Sequence, residues 1–211
     1  LGICDFTQAD FLVTIEGEPV PHKLFHYRLV ASGWAFAQVT YGGESFAAFS
    51  DGLQNAFLAS GGVPIEVRTD SLSAAYKNHQ ETFDFTDRFA ELVDNYGFKA
   101  TRNNRGVAHE NGAIESPNRH VKSQLKQALI IRGSHDFSSR DEYECFVQSV
   151  VARRNRRVKD TFLSEQRQLQ ALPKSTSVNY SEHFIRITRS STLMLKRVTY
   201  TVPSRLVGSR V

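Results

Sequence analysis

Cysteine is nearly absent: Cys4 and Cys145 stand far apart and form no CxxC pattern. That excludes a disulfide framework and a zinc site built on paired thiols, and makes a reducing cytoplasm the expected setting. No apolar run approaches the ~20 residues that a bilayer-spanning helix needs, so no membrane partner is expected. No GxxxxGK[ST] loop occurs, so the chain is not expected to hydrolyse ATP itself. A GxSxG nucleophile turn is missing too, as are internal repeats and low-complexity tracts. No secretory leader is expected, because the first residues already form an apolar run. Without an initiator Met, the chain reads as a piece of a longer protein.

What is present suits a soluble globular protein. The chain has 211 residues, 40% hydrophobic and 23% charged, enough for one sizeable core and a small appendage. The net charge of +4 hides an asymmetry. Residues 1–98 carry 13 acids and 5 bases, a net of −8, and residues 99–211 carry 9 acids and 21 bases, a net of +12. A basic second half suggests a polyanionic partner, although a solvated Lys/Arg face would give the same count.

Patterning predicts strands over 1–7, 22–32 and 34–41, with Ser32-Gly33 as a turn and a polar excursion around 16–19. Phe46, Phe49, Leu53 and Phe57 recur at helical steps within 44–60, and Gly61-Gly62 is the expected stop. A strand follows over 64–70, then a polar loop over 71–82, a helix over 86–96, a strand over 98–102 and a loop over 103–111. Two further helices are expected at 112–131 and 139–157. Alternation over 184–187 and 198–202 predicts half-buried strands of a small β module, expected to be incomplete at residue 211. Five strands with interleaved helices fit an α/β layer with a mixed sheet, whose sites form at strand ends. The domain reading is a core over 1–158, a linker over 159–182 and the start of a β module over 183–211.

Three carboxylates stand out. Asp5 lies in the first apolar run, Asp70 closes the fourth strand, and Glu115 opens a helix rich in Asn, Arg and Lys. Carboxylates held together repel one another and would drive one to protonate. A divalent cation removes that cost, and Mg²⁺ prefers carboxylate and water oxygens while leaving positions open for phosphate. Two such ions can activate an attacking oxygen and stabilise a leaving one in an in-line displacement. Glu115, Arg119, Lys122 and Lys126 fall at i, i+4, i+7 and i+11, one face of a helix. Cations there would hold a nucleic-acid backbone without reading sequence. The same spacings also stabilise any exposed helix, and Asp10, Glu66 and Glu110 rival the three acids, Glu110 being read as part of the loop.

Other groups carry weaker signals. His22 and His26 are four apart, but in a strand. His120 sits one turn past Glu115, where it can meet phosphate or solvent. Arg153, Arg154, Arg156 and Arg157 close a helix, where they can grip DNA or satisfy the terminal carbonyls.

The segments GVAHENGAIESPNRHVK over 106–122 and GVPIEVRTD over 62–70 resemble the DDE transposases and retroviral-type integrases around their third and second carboxylates. More narrowly, the chain resembles the large transposase of bacterial insertion sequences that encode an AAA+ ATPase helper, the IstA type. The stretch YTVPSRLVG over 200–208 is similar to that group, where a small β-barrel follows the core. Cys4 departs from the pattern, since a larger residue is more usual before the first Asp. The resemblance implies an RNase H-like mixed five-stranded sheet flanked by helices. It implies that Asp5, Asp70 and Glu115 bind two Mg²⁺ ions, for which Mn²⁺ can substitute. It also implies hydrolysis at transposon 3′ ends, followed by attack of the freed 3′-OH on target DNA. Expected DNA contacts are Arg105, Arg119, His120, Lys122, Lys126, Arg153, Arg154, Arg156 and Arg157. The implied partners are transposon-end and target DNA, the AAA+ helper, and further copies of the chain on DNA in a bacterial nucleoid. Two alternatives stay open: an RNase H-like nuclease or resolvase that only hydrolyses, and a non-catalytic DNA-binding module.

Overall fold

The computed structural model describes residues 1–69, 82–102, 108–176, 184–195 and 198–210, with the side chains of 82–87, 102 and 108–118 left aside. The chain divides into two compact units, Leu1–Ser177 and Val178–Val211.

The first unit is built on strand β1 (Gly2–Gln8), in which Cys4 and Phe6 are buried while Ile3, Asp5 and Thr7 are half-buried on the opposite face. A two-residue pair, β2 (Thr14–Ile15) and β3 (Glu18–Pro19), precedes β4 (His22–Leu29) and β5 (Ala35–Tyr41). Helix α1 (Phe46–Ser60) leads to β6 (Glu66–Thr69), and α2 (Thr82–Tyr96) leads to β7 (Lys99–Arg102). The sheet order is β5-β4-β1-β6-β7. The β1–β4 and β4–β5 pairs are antiparallel, and β1–β6 and β6–β7 are parallel. This is the RNase H-like mixed sheet that the resemblance implies. It is completed by α3 (Ala108–Arg132), a short β8 (Asp136–Phe137) and α4 (Arg140–Asn155).

Each face of the sheet carries a core. On one, Cys4, Phe6, Phe25, Tyr27 and Leu29 meet Phe49, Leu53 and Phe57 of α1 and Leu92 and Tyr96 of α2. The approach of α1 depends on Gly52, where an added Cβ would lie 2.5 Å from a ring carbon of Phe25. On the other face, Leu24, Ala35, Ala37 and Val39 meet Val121, Leu125 and Leu129 of α3 and Tyr143, Val147 and Val151 of α4. Both stripes follow the three- and four-residue steps of a helix.

Caps fix the helix ends. Ser45 Oγ accepts the Ala48 N–H, and Gly61 closes α1 at φ 72°, a left-handed conformation that glycine adopts without a steric penalty. Ser139 Oγ accepts the Glu142 N–H, and Glu142 reaches back to accept the Ser138 N–H at 2.7 Å. Helix α4 also covers the outer edge of β5. Asn155 accepts the Ala35 N–H and donates to the Ala35 carbonyl, and Gln148 donates to the Ala37 carbonyl at 2.7 Å. These side chains take the place of a neighbouring strand.

Several boundaries differ from the sequence reading. Helix α2 begins at Thr82 rather than 86. Helix α3 begins at Ala108, so Glu110 belongs to the helix and not to a loop. The cost of helical Gly112, ~1 kcal/mol relative to Ala, is small against propagation over 25 residues. The linker expected over 159–182 also changes. A 3-10 turn (Arg156–Val158) runs into α5 (Lys159–Gln166), and Val158, Phe162, Leu169 and Leu172 pack on the first core. Phe162 stacks on Trp34 with centroids 5.1 Å apart and planes 15° apart. Glu165 is buried and accepts the Ser32 N–H at 2.7 Å, and Val63 and Gln170 exchange backbone hydrogen bonds.

The second unit holds a hairpin of β9 (Thr192–Leu195) and β10 (Val198–Thr201), with one bridge between Arg186 and Arg210 in place of a full strand over 184–187. Ile187 is buried, and Arg210 lies over the Phe184 ring.

Candidate active-site cleft

Asp5, Thr7, Asp10, Arg119, Lys122, Ser123 and Lys126 line one open cleft of about 600 Å³. Strand alternation places Asp5 and Thr7 on the face of β1 that looks toward α3, opposite Cys4 and Phe6. Helical spacing then brings three of the expected bases to the same opening. Thr7 and Ser123 were not singled out in the sequence. Thr7 is two residues from Asp5 in a strand, and that step was the available signal.

Asp70 lies outside the described residues, but its covalent neighbour is placed. Parallel pairing of β1 with β6 sets Cys4, the residue before Asp5, beside Thr69, the last residue of β6. Glu115 lies on the α3 backbone one turn before Arg119, with its side chain outside the description. Arg105 is outside it as well. Among the described residues no three His, Cys, Asp or Glu side chains gather into a metal-holding group.

Two rival carboxylates are already held. Asp10 Oδ2 accepts from Lys126 Nζ at 3.0 Å. That bond keeps the Asp10 carboxyl below its ordinary range against the opposing effect of burial, and nearby Lys122 adds to the lowering. Glu66 Oε1 accepts from Thr101 Oγ1 at 2.7 Å and from Arg68 at 3.2 Å, and the Thr101 bond is the main cause of its lowered pKa. Cys4 is buried, and burial pushes its thiol far up, so it is an inert part of the core.

Of the remaining candidates, His120 is exposed on α3 but is not part of the cleft lining. Arg154 donates to the Gly33 carbonyl at 2.6 Å and is half-buried, which lowers its pKa. Arg153 and Arg157 line a second, smaller cleft with Gln124, Gln127 and Ile131, and Arg156 is exposed.

His22 and His26 share one face of β4, four residues or ~13 Å apart, too far for one metal. His22 is instead a core residue. Its Nδ1 lies 2.9 Å from the Val20 carbonyl, which can only accept, so Nδ1 carries the proton and Nε2 accepts from Tyr143 Oη at 2.6 Å. Burial lowers its pKa and outweighs the bond to Val20. Since the unfolded chain binds this proton more readily, the contribution of neutral His22 is fully present above about pH 6.5 and is lost as pH falls toward the depressed folded value. Urea midpoints at pH 7.5 and 5.5 are expected to show this loss, and His22→Gln is expected to flatten it.

No family model matches the chain. A curated relative from Sinorhizobium fredii (strain NBRC 101917 / NGR234), the uncharacterized protein y4jA/y4nE/y4sE, is 44% identical over 214 residues. The match covers 100% of this chain and 42% of the relative, so the chain spans less than half the length of that protein. Among solved structures, the HTLV-2 integrase catalytic core domain in complex with magnesium (dimeric form) is similar at 15% identity and a TM-score of 0.48, covering 71% of this chain and 81% of that one. The catalytic core domain of BIV integrase is similar at 11% identity and a TM-score of 0.48, covering 79% and 96%. The fold assignment stands on the strand order and directions given above. Among the described residues no helix is long and apolar enough to cross a membrane.

Proposed function

We propose that this chain is the catalytic core of a DDE-type polynucleotidyl transferase acting on DNA. The observation that carries the proposal is the cleft that joins Asp5 of β1 to Arg119, Lys122 and Lys126 of α3. It is reinforced by the β1–β6 register, which brings the chain to the residue before Asp70 beside Cys4.

The donor chemistry fits a hard divalent cation, because Asp5 places a carboxylate on the lining of an open cleft and such ions prefer carboxylate oxygens. Asp5, Asp70 and Glu115 would hold two Mg²⁺ ions. Mg²⁺ supplies charge neutralisation at the attacking and leaving oxygens of phosphoryl transfer, and Mn²⁺ can take its place. The protein's own part is positioning. Lys122 and Arg119 hold backbone phosphates beside Asp5, so the scissile phosphorus is oriented while bases go unread. Arg105, His120, Arg153, Arg156 and Arg157 extend this contact along the strand, and Arg154 adds charge from its structural place against Gly33.

The finer reading is a bacterial insertion-sequence transposase of the IstA type. It cleaves transposon 3′ ends, joins them to target DNA, assembles as several copies on paired ends, and works with an AAA+ helper. The sequence resemblance supports this, as does a relative of greater length from a bacterium. The second unit is then part of a small β-barrel domain following the core.

The test is a joining assay with the full-length protein, pre-cleaved 3′-OH ends and Mg²⁺. Joined product is expected. Hydrolysis alone would point to a nuclease or resolvase, and neither product, with DNA still bound, to a binding module.

A further inference from the structure

Among the charged groups that line the cleft, Asp10 has no part in the chemistry above. Asp10 lies just beyond β1 and is bonded to Lys126, with Lys122 close enough to lower its pKa. The side chains of Lys126 and Asp10 are 43% and 50% exposed. An ion pair this open adds little to stability, because water screens it and two mobile side chains must be ordered. Its consequence is electrostatic. A carboxylate occupies the ammonium that would otherwise face an incoming phosphate.

We infer that Asp10 is an internal phosphate mimic: it holds Lys126 in place in the free protein and yields it when a DNA phosphate enters the cleft. This deepens the proposed function and rests on it. Asp10 is a positioning residue acting through Lys126. It makes entry an exchange of one anion for another, so DNA that does not reach Lys126 gains nothing from that charge. The 116-residue separation of the two partners ties the end of β1 to the middle of α3. The same exchange therefore links strand entry to the elements that carry Asp5 and Glu115.

The test is fluorescence-anisotropy binding of a labelled duplex of arbitrary sequence to the 211-residue chain, in EDTA, across a salt series. Asp10→Asn keeps the size and removes the charge. It is expected to bind about two- to fivefold tighter, the range of one exposed ion pair. Its log–log salt slope is expected to stay that of the parent, because Lys126 meets the phosphate in both complexes. Lys126→Met is expected to weaken binding and make the slope shallower by ~0.9, one lost phosphate contact, and Asp10→Asn added to it to have a much smaller effect. If Lys126→Met weakens binding but Asp10→Asn leaves the affinity unchanged, the mimic is overturned while the cleft reading stands. Weaker binding by Asp10→Asn also overturns it, making Asp10 a direct ligand. If binding ignores Lys122 and Lys126 altogether, it is the cleft reading that fails.

Discussion

Asp5→Asn is expected to lower metal-dependent cleavage and joining by the full-length protein at least ~10³-fold. Metal ions stabilise transition-state charge by several kcal/mol, and each ~1.4 kcal/mol is a factor of ten. The substitution keeps the shape of the side chain but removes the charge that would hold a cation. Asp5 is half-buried at the cleft surface, and the cores lie elsewhere, so the melting temperature should move by no more than a few degrees. The measurement is product formed from pre-cleaved ends, with the melt as the control for folding. Activity within about tenfold of the parent would remove Asp5 from the proposed triad. The same loss in Asp10→Asn but not in Asp5→Asn would transfer the role to Asp10.

The second large effect concerns stability. Phe57 is fully buried, with its ring 5.9 Å from Tyr27, 5.2 Å from Tyr96 and 5.7 Å from Phe98. It joins α1, the central sheet and the segment leading into β7. Phe57→Ala deletes a ring from a packed interior and leaves a cavity, at a cost of ~3–5 kcal/mol. Domains of this kind are stable by only ~5–15 kcal/mol in total, so a fall of about 10–15 °C in melting temperature is expected. The adjacent Leu58 is 52% exposed, and Leu58→Ala should stay within ~0.5 kcal/mol. Urea melts of the two variants check both values, and equal losses would contradict the packing described.

Much of this fold is legible in the sequence because single elements carry their own signal. The Phe49–Leu53–Phe57 stripe and the Gly61 stop mark α1, and runs rich in Val, Phe, Tyr and Leu mark β4 and β5. The mini-sheet of β2, β3 and β8 is not legible. Its strands are two residues long and show no period, and it is held by Asp136, which accepts from Thr14 Oγ1 at 2.6 Å and from the Gly17 N–H at 2.9 Å. Helix α5 is not legible because it buries Glu165 and half-buries Phe162 among polar neighbours, too little apolar surface to make a stripe. The cleft divides the same way. Arg119, Lys122 and Lys126 could be grouped from helical spacing alone. The bond from Lys126 to Asp10 could not, because no local pattern relates residues brought together only by the fold.

The stack of Phe162 on Trp34 gives the molecule a built-in optical gauge. Trp34 is the sole tryptophan, so all indole fluorescence arises where the segment after α4 returns to the sheet. Removing the chain beyond Val158 would strip the cover from that ring and shift its emission toward the red. A graft or truncation within the first unit can therefore be checked by emission colour alone, before any DNA is added.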